Sequence, residues 1–133
     1  ANQLHVSSLL AAGEDTIWVG TWGGLFWFHP ASGKVEPVPS DARDPTQLHT
    51  SLISTLLLDR GGRLWVGTSG GGLYVGRGRS ADGKWQFRRI GSNEGLQNQN
   101  VNKLLEDASG AIWASTDDGI VRVDPVLLTV QAT

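Results

Sequence analysis

One five-residue phrase occurs three times in this chain: Ile17-Trp18-Val19-Gly20-Thr21, Leu64-Trp65-Val66-Gly67-Thr68 and Ile112-Trp113-Ala114-Ser115-Thr116. The tryptophans stand 47 and then 48 residues apart. Each copy runs into a glycine turn and a short apolar segment: Gly24-Leu25-Phe26, Gly72-Leu73-Tyr74 and Gly119-Ile120-Val121. A fixed period of this length marks a repeat architecture, in which each unit buries its faces only by stacking on its neighbours.

Aligned on the tryptophans, Val6, Ile53 and Val101 coincide, as do the leucine pairs Leu9-Leu10, Leu56-Leu57 and Leu104-Leu105. The Gly- and Asp-rich segments that follow, such as Asp59-Arg60-Gly61-Gly62 and Asp107-Ala108-Ser109-Gly110, have hairpin-turn composition. They lead into the Trp runs, which are short and rich in β-branched and aromatic residues. Third strands are expected at Leu25 to Phe28, Leu73 to Val75 and Ile120 to Val123. Fourth strands are expected at Lys34 to Val38, Trp85 to Ile90 and Leu127 to Gln131. A helix competes for Ser51 to Asp59, but the run is short, a turn closes it, and the other two copies have weaker helical periodicity. The chain therefore reads as all-β: three four-stranded antiparallel blades of a β-propeller, about 4–40, 51–91 and 99–131, in one segment spanning 1–133. The Trp and the paired leucines are the natural filling between sheets. Each terminal Thr is expected to satisfy a neighbouring backbone group with its hydroxyl.

Composition narrows the function. The formal net charge is −2, with 11 basic and 13 acidic residues scattered along the chain, so no phosphate-binding patch exists and nucleic acid is not expected as a partner. Cysteine is absent, which excludes disulfides and thiolate metal sites. No apolar run approaches the ~20 residues that span a bilayer, so no membrane contact by this segment is expected. His5, His29 and His49 share no metal-ligand spacing. Glu14, Asp15, Asp41, Asp44, Glu94 and Glu106 form no acid–base pair. Neither a nucleophile elbow nor a phosphate loop is present. Catalysis, metal and cofactor are therefore not expected.

The segment from Asp59 to Leu73 resembles the repeat of the two-component regulator propeller family: Asp-x-x-Gly, Leu-Trp-Val-Gly-Thr, then a Gly-Leu turn. Asp107 to Ile120 is similar, with Ser115 in place of glycine, and Gly13 to Leu25 is similar but has Ala12 in place of the aspartate. Gly95-Leu96 through Asn98 to Val101 resembles the family's lead-in to a blade. The resemblance implies the extracytoplasmic, periplasmic sensory part of a bacterial two-component or cyclic-di-GMP signalling receptor, non-catalytic, with a carbohydrate as ligand. A protein-interaction scaffold, or a fragment of a propeller lyase or quinoprotein, are the alternatives.

Antiparallel order places the second-to-third turns and the blade connections on one face. Trp22, His49, Ser69, Asn98, Asn100, Asp117 and Asp118 are the candidate ligand-binding residues there, since polar groups beside an exposed aromatic suit a sugar. Apart from Trp22 and His49, each is also a residue type that turns favour. Trp27 is expected in packing between blades. Three blades do not close a ring, because propellers have about four to eight. Two remedies are open and compatible: the chain is a β-propeller fragment of a longer protein that carries the missing blades, or two copies associate; a homodimer forming a six-bladed ring is expected.

Overall fold

The computed structural model describes residues 5–41, 43–49 and 52–133. The expected blade starts at 4 and 51 lie outside the described residues. The chain forms three four-stranded antiparallel sheets. The first contains β1 (Val6–Ala11), β2 (Ile17–Thr21), β3 (Gly24–His29) and β4 (Lys34–Pro37). The second contains β5 (Ile53–Leu58), β6 (Leu64–Thr68), β7 (Leu73–Arg79) and β8 (Trp85–Ile90), and the third β9 (Val101–Glu106), β10 (Ile112–Thr116), β11 (Gly119–Val123) and β12 (Val130–Ala132). Within each sheet, strands neighbour one another in chain order. The first strands lie side by side, β1 against β5 and β5 against β9, so the sheets fan out from a common hub as propeller blades do.

The segment that could have been a helix is the inner strand β5. Its leucine pair shows why: in a strand, adjacent side chains point to opposite faces. Leu56 packs towards blade one with Trp18, Leu25 and Val66, while Leu57 packs towards blade three beside Trp65 and Ile112. Trp18 and Trp65 look towards the next blade, and Trp113 lies on the open face of blade three. Trp18 fills the first seam, and Trp65, fully buried, fills the second.

The family-like aspartate has a clear physical task. Asp59 accepts from the Arg63 backbone N–H at 2.9 Å, the Arg63 guanidinium at 2.8 Å and the Trp65 indole N–H at 2.8 Å. Asp107 likewise accepts from the Ser109 and Ala111 backbone and from the Trp113 indole at 2.7 Å. One carboxylate thus closes the hairpin and fixes the Trp rotamer. The repeat threonines also behave as expected. Thr21, Thr68 and Thr116 each donate across their turn, to the carbonyls of Gly24, Gly72 and Gly119 at 2.8, 2.7 and 2.9 Å.

Two expectations need revision. The last strand begins at Val130 instead of Leu127 because Asp124 accepts from the Val126 and Leu127 amides. Leu128 then takes a left-handed φ of 59°, and residues 124–129 form a turn. The strand β7 runs on to Arg79, four residues past the expected Val75, through a bulge opposite Phe87 to Trp85.

Candidate functional site

The second-to-third turns lie beside the beginnings of the inner strands. Trp22 N–H donates to the His5 carbonyl, Ser69 N–H to Leu52, and Gly70 and Gly72 N–H both to Gln99. This turn face is where the expected ligand residues fall.

Five of the seven sit around the join of blades two and three. Asn98 Oδ1 accepts from the Asn100 amide at 3.0 Å, an Asx turn that presents the Asn100 side chain. Asn100 forms an antiparallel bridge with Ser69. Its Nδ2 donates to one Asp117 oxygen at 2.8 Å, and Asn102 Nδ2 donates to the other at 2.9 Å. These two amides hold the Asp117 carboxyl below its ordinary value, the Asn102 bond being the larger cause. Asp118 anchors the same turn through its N–H to Thr116 Oγ1. Beneath lies a brace: Arg89 donates to the Gly71 carbonyl at 2.8 Å and to Gln99 Oε1 at 3.1 Å.

The other two residues stand apart. Trp22 is 57% exposed and stacks on His5, with ring centroids 3.9 Å apart. His49 serves the packing of the connection between blades one and two. Its N–H donates to the Tyr74 hydroxyl, and its ring nitrogen lies 3.3 Å from the Asp44 carbonyl. That connection runs along β8, where Gln47 Nε2 donates to the Trp85 carbonyl and Phe87 N–H to Thr46. Neither Trp22 nor His49 hydrogen-bonds to the Asn–Asp cluster.

Asn102 is a member that sequence reasoning missed. Aligned on the tryptophans it corresponds to Ser7 and Ser54, and all three sit at a bulge in the inner strand. A bulge re-aims a side chain. Ser7 reaches the Ile53 carbonyl of the next blade at 2.6 Å, and Ser54 reaches the Val101 carbonyl. Asn102 turns to Asp117 instead. The departure from the serine pattern was the available signal.

Chemically the cluster is rich in acceptors. Asn100 and Asn102 each give one amide N–H to Asp117, and Ser69, Asn102, Asp117 and Asp118 are exposed residues that carry oxygen acceptors. Such a surface accepts from ligand hydroxyls. A depressed carboxyl pKa makes Asp117 a poor proton donor near neutrality. No group of three or more metal-ligating side chains occurs among the described residues.

The family model described as two component regulator propeller matches residues 47–70 and 95–118. Among solved structures, the chain is similar to the extracellular domain of a protein assigned as the hybrid two component system BT3049 from B. thetaiotaomicron. The identity is 26% and the TM-score 0.76, over 97% of this chain and 17% of that one. The extracellular domain of BT4673 from the same organism matches at 30% identity and TM-score 0.68, over 92% and 16%. A second structure under that name matches at 20% identity and 0.78, over 96% and 18%, and supports the fold alone. The chain thus spans under a fifth of these neighbours. No curated protein sequence matches. The two matches stand in phase, one repeat apart, so residues 47–70 and 95–118 of this chain are similar to two component regulator propeller repeats and share the blade architecture of the solved extracellular domains.

Proposed function

We propose that this chain is a non-catalytic sensory module of a bacterial two-component or cyclic-di-GMP receptor, placed in the periplasm, with a carbohydrate as ligand. The observation that carries the reading is the Asn98–Asn100–Asn102–Asp117 cluster beside Ser69. It offers oriented acceptors at a join between blades, where a bound hydroxyl-rich ligand alters how two sheets sit together. That coupling converts binding into a change of packing that an output domain can sense. The extracellular placement of the similar structures supports it. The test is a thermal-shift and calorimetric screen against a sugar panel with wild type, Asn100→Ala and Asp117→Ala. Saturable binding weakened at least tenfold in both variants is the expected result. A panel with no binder, alongside capture of a defined polypeptide on this face, would favour the scaffold reading.

We also propose that two copies pair head to tail across the open blade faces. The face of blade one carries Val6, Val19, Phe26, Phe28 and Val35, and that of blade three Leu105, Trp113 and Ile120. They are the same two kinds of face that meet at the internal seams. Pairing in repeat register would set Val6 against Ser115, so Ser115→Gly should tighten it. A sedimentation mass of two chains, rising in occupancy with Ser115→Gly, is expected. A single-chain mass for both proteins at high concentration contradicts pairing.

A further inference from the structure

Away from the turn face, a groove of about 190 Å³ opens between the outer strands of blades one and two. Its walls include Trp27, Glu36, Arg79, Asp82, Lys84 and Trp85. Trp18 and Trp27 stack with planes 13° apart, and Trp85 stands edge-on to both. The bulge in β7, with Gly78 at φ 84°, turns Arg79 back over this platform. Its guanidinium carbon lies 4.0 Å from the Trp27 ring centroid and 4.6 Å from that of Trp85.

The hydrogen-bond accounting at this groove is lopsided. The Arg79 guanidinium makes no hydrogen bond or ion pair among the described residues, although it carries five N–H donors. The indole N–H groups of Trp27 and Trp85 are buried without acceptors. The nearby carboxylates are already engaged. Glu36 pairs with Lys34 at 3.2 Å and lies 3.3 Å from His29, while Asp82 accepts from the Ser80 hydroxyl and the Lys84 amide. A structural ion pair would place one of them on Arg79. Instead a planar cation lies against two tryptophan rings, and its donors have no protein partner among the described residues.

We propose that this groove is an anion site in which Arg79 receives a ligand carboxylate. The fork of a guanidinium matches a carboxylate with two parallel bonds, and pinning it beforehand removes the side-chain entropy that an exposed arginine loses on binding. The volume is below the ~300 Å³ of whole-ligand pockets, so the groove takes an end group, not an entire molecule. A uronic acid and an acidic peptide group both supply that chemistry. The site is separate from the Asn–Asp cluster and does not depend on a sugar binding there.

The test follows the Trp27 and Trp85 indole N–H resonances of the full chain during titration with glucuronate, with N-acetylaspartate, and with sodium sulfate as an anion control, each into the millimolar range. Saturable shifts with a carboxylate are expected, weakened at least tenfold in Arg79→Ala and several-fold in Arg79→Lys, which keeps the charge but not the fork. Unchanged backbone resonances away from the groove verify that the variants fold. Response to glucuronate alone identifies an acidic sugar, and to N-acetylaspartate alone an acidic peptide. Absence of saturation by either, equal response to sulfate, or identical titration of Arg79→Ala overturns the proposal.

Discussion

The inner seams and the outer faces of this molecule are made from the same words of sequence, yet they are not the same surface. The leucine pair shows it most simply. Leu56 is 8% exposed between blades one and two, whereas its counterpart Leu9 on the open side of blade one is 67% exposed. On the other side of the pair, Leu57 packs in the second seam while Leu105 is 62% exposed. Position in the repeat sets which way a side chain points, and the presence of a neighbouring sheet sets whether that burial stabilises anything.

Two details separate the seams further. At Gly20 an added Cβ would fall 2.7 Å from Ile53 Cγ2, and at Gly67 it would fall 2.5 Å from Thr55 Cγ2 and 2.8 Å from Val101 Cγ1. These glycines are hollows that admit the β-branched residue of the next inner strand. Blade three has Ser115 at that position and Asn102 where the seam-crossing serine stood. The third Trp strand is therefore shaped differently from the two that meet a neighbour within the chain.

The comparison can be broken most forcefully at the tryptophans. Trp65→Ala should cost about 3–5 kcal/mol, as truncation of a fully buried aromatic does, and urea unfolding measures it. Below the concentration at which two copies pair, Trp113→Ala, on the open side, should cost well under half as much, and its loss should grow as pairing covers the face. Equal losses in the unpaired chain would contradict an open third blade. Next, Asp59→Ala should cost about 1–3 kcal/mol, because it leaves the buried Trp65 indole without an acceptor. Smaller again is Ser54→Ala, at about 1 kcal/mol for one bond across the seam. Asn102→Ala removes no bond between blades, so its unfolding midpoint should move less.

Acid sharpens the same contrast. Burial opposes ionisation of Asp59, but the bonds from Trp65 and Arg63 outweigh it and hold its carboxyl below the ordinary 3.8. For Asp107, the Ser109 hydroxyl and then the Trp113 indole lower it further. A depressed carboxyl contributes stability that is fully present above its unfolded pKa and is lost as pH falls through the folded one. The unfolding midpoint should hold down to about pH 4 and fall below it. An Asp59→Asn, Asp107→Asn protein should start lower and fall less steeply.

Much of this was legible in the sequence because the repeat reports on itself. Three in-phase copies fixed the strands, the Thr caps and the role of tryptophan as filling between sheets. The cluster around Asn100 was reachable for the same reason, since alternating strand direction assigns turns to faces. What escaped depended on contacts outside the repeat. His49 is polar and near a blade connection, but that connection is held along β8 by Thr46 and Gln47, so the histidine packs on Tyr74. Arg79 looked like one more scattered cation, because a bulge that folds it back over two tryptophans leaves no periodic trace. Asn102 was visible only as a substitution in the serine column, whose purpose becomes apparent once the carbonyls of Ile53 and Val101 are seen to be its targets.

The glycine hollow is the feature on which the stacking of the blades turns, and paired alanine variants examine it directly. Denaturant unfolding of Gly67→Ala should show a loss of about 1–3 kcal/mol, the usual cost of overfilling a packed interior. Ser115→Ala should stay within about 0.5 kcal/mol of the parent. A Gly67→Ala protein as stable as the parent, or a Ser115→Ala loss of equal size, would contradict radial packing of these sheets through the Trp strand.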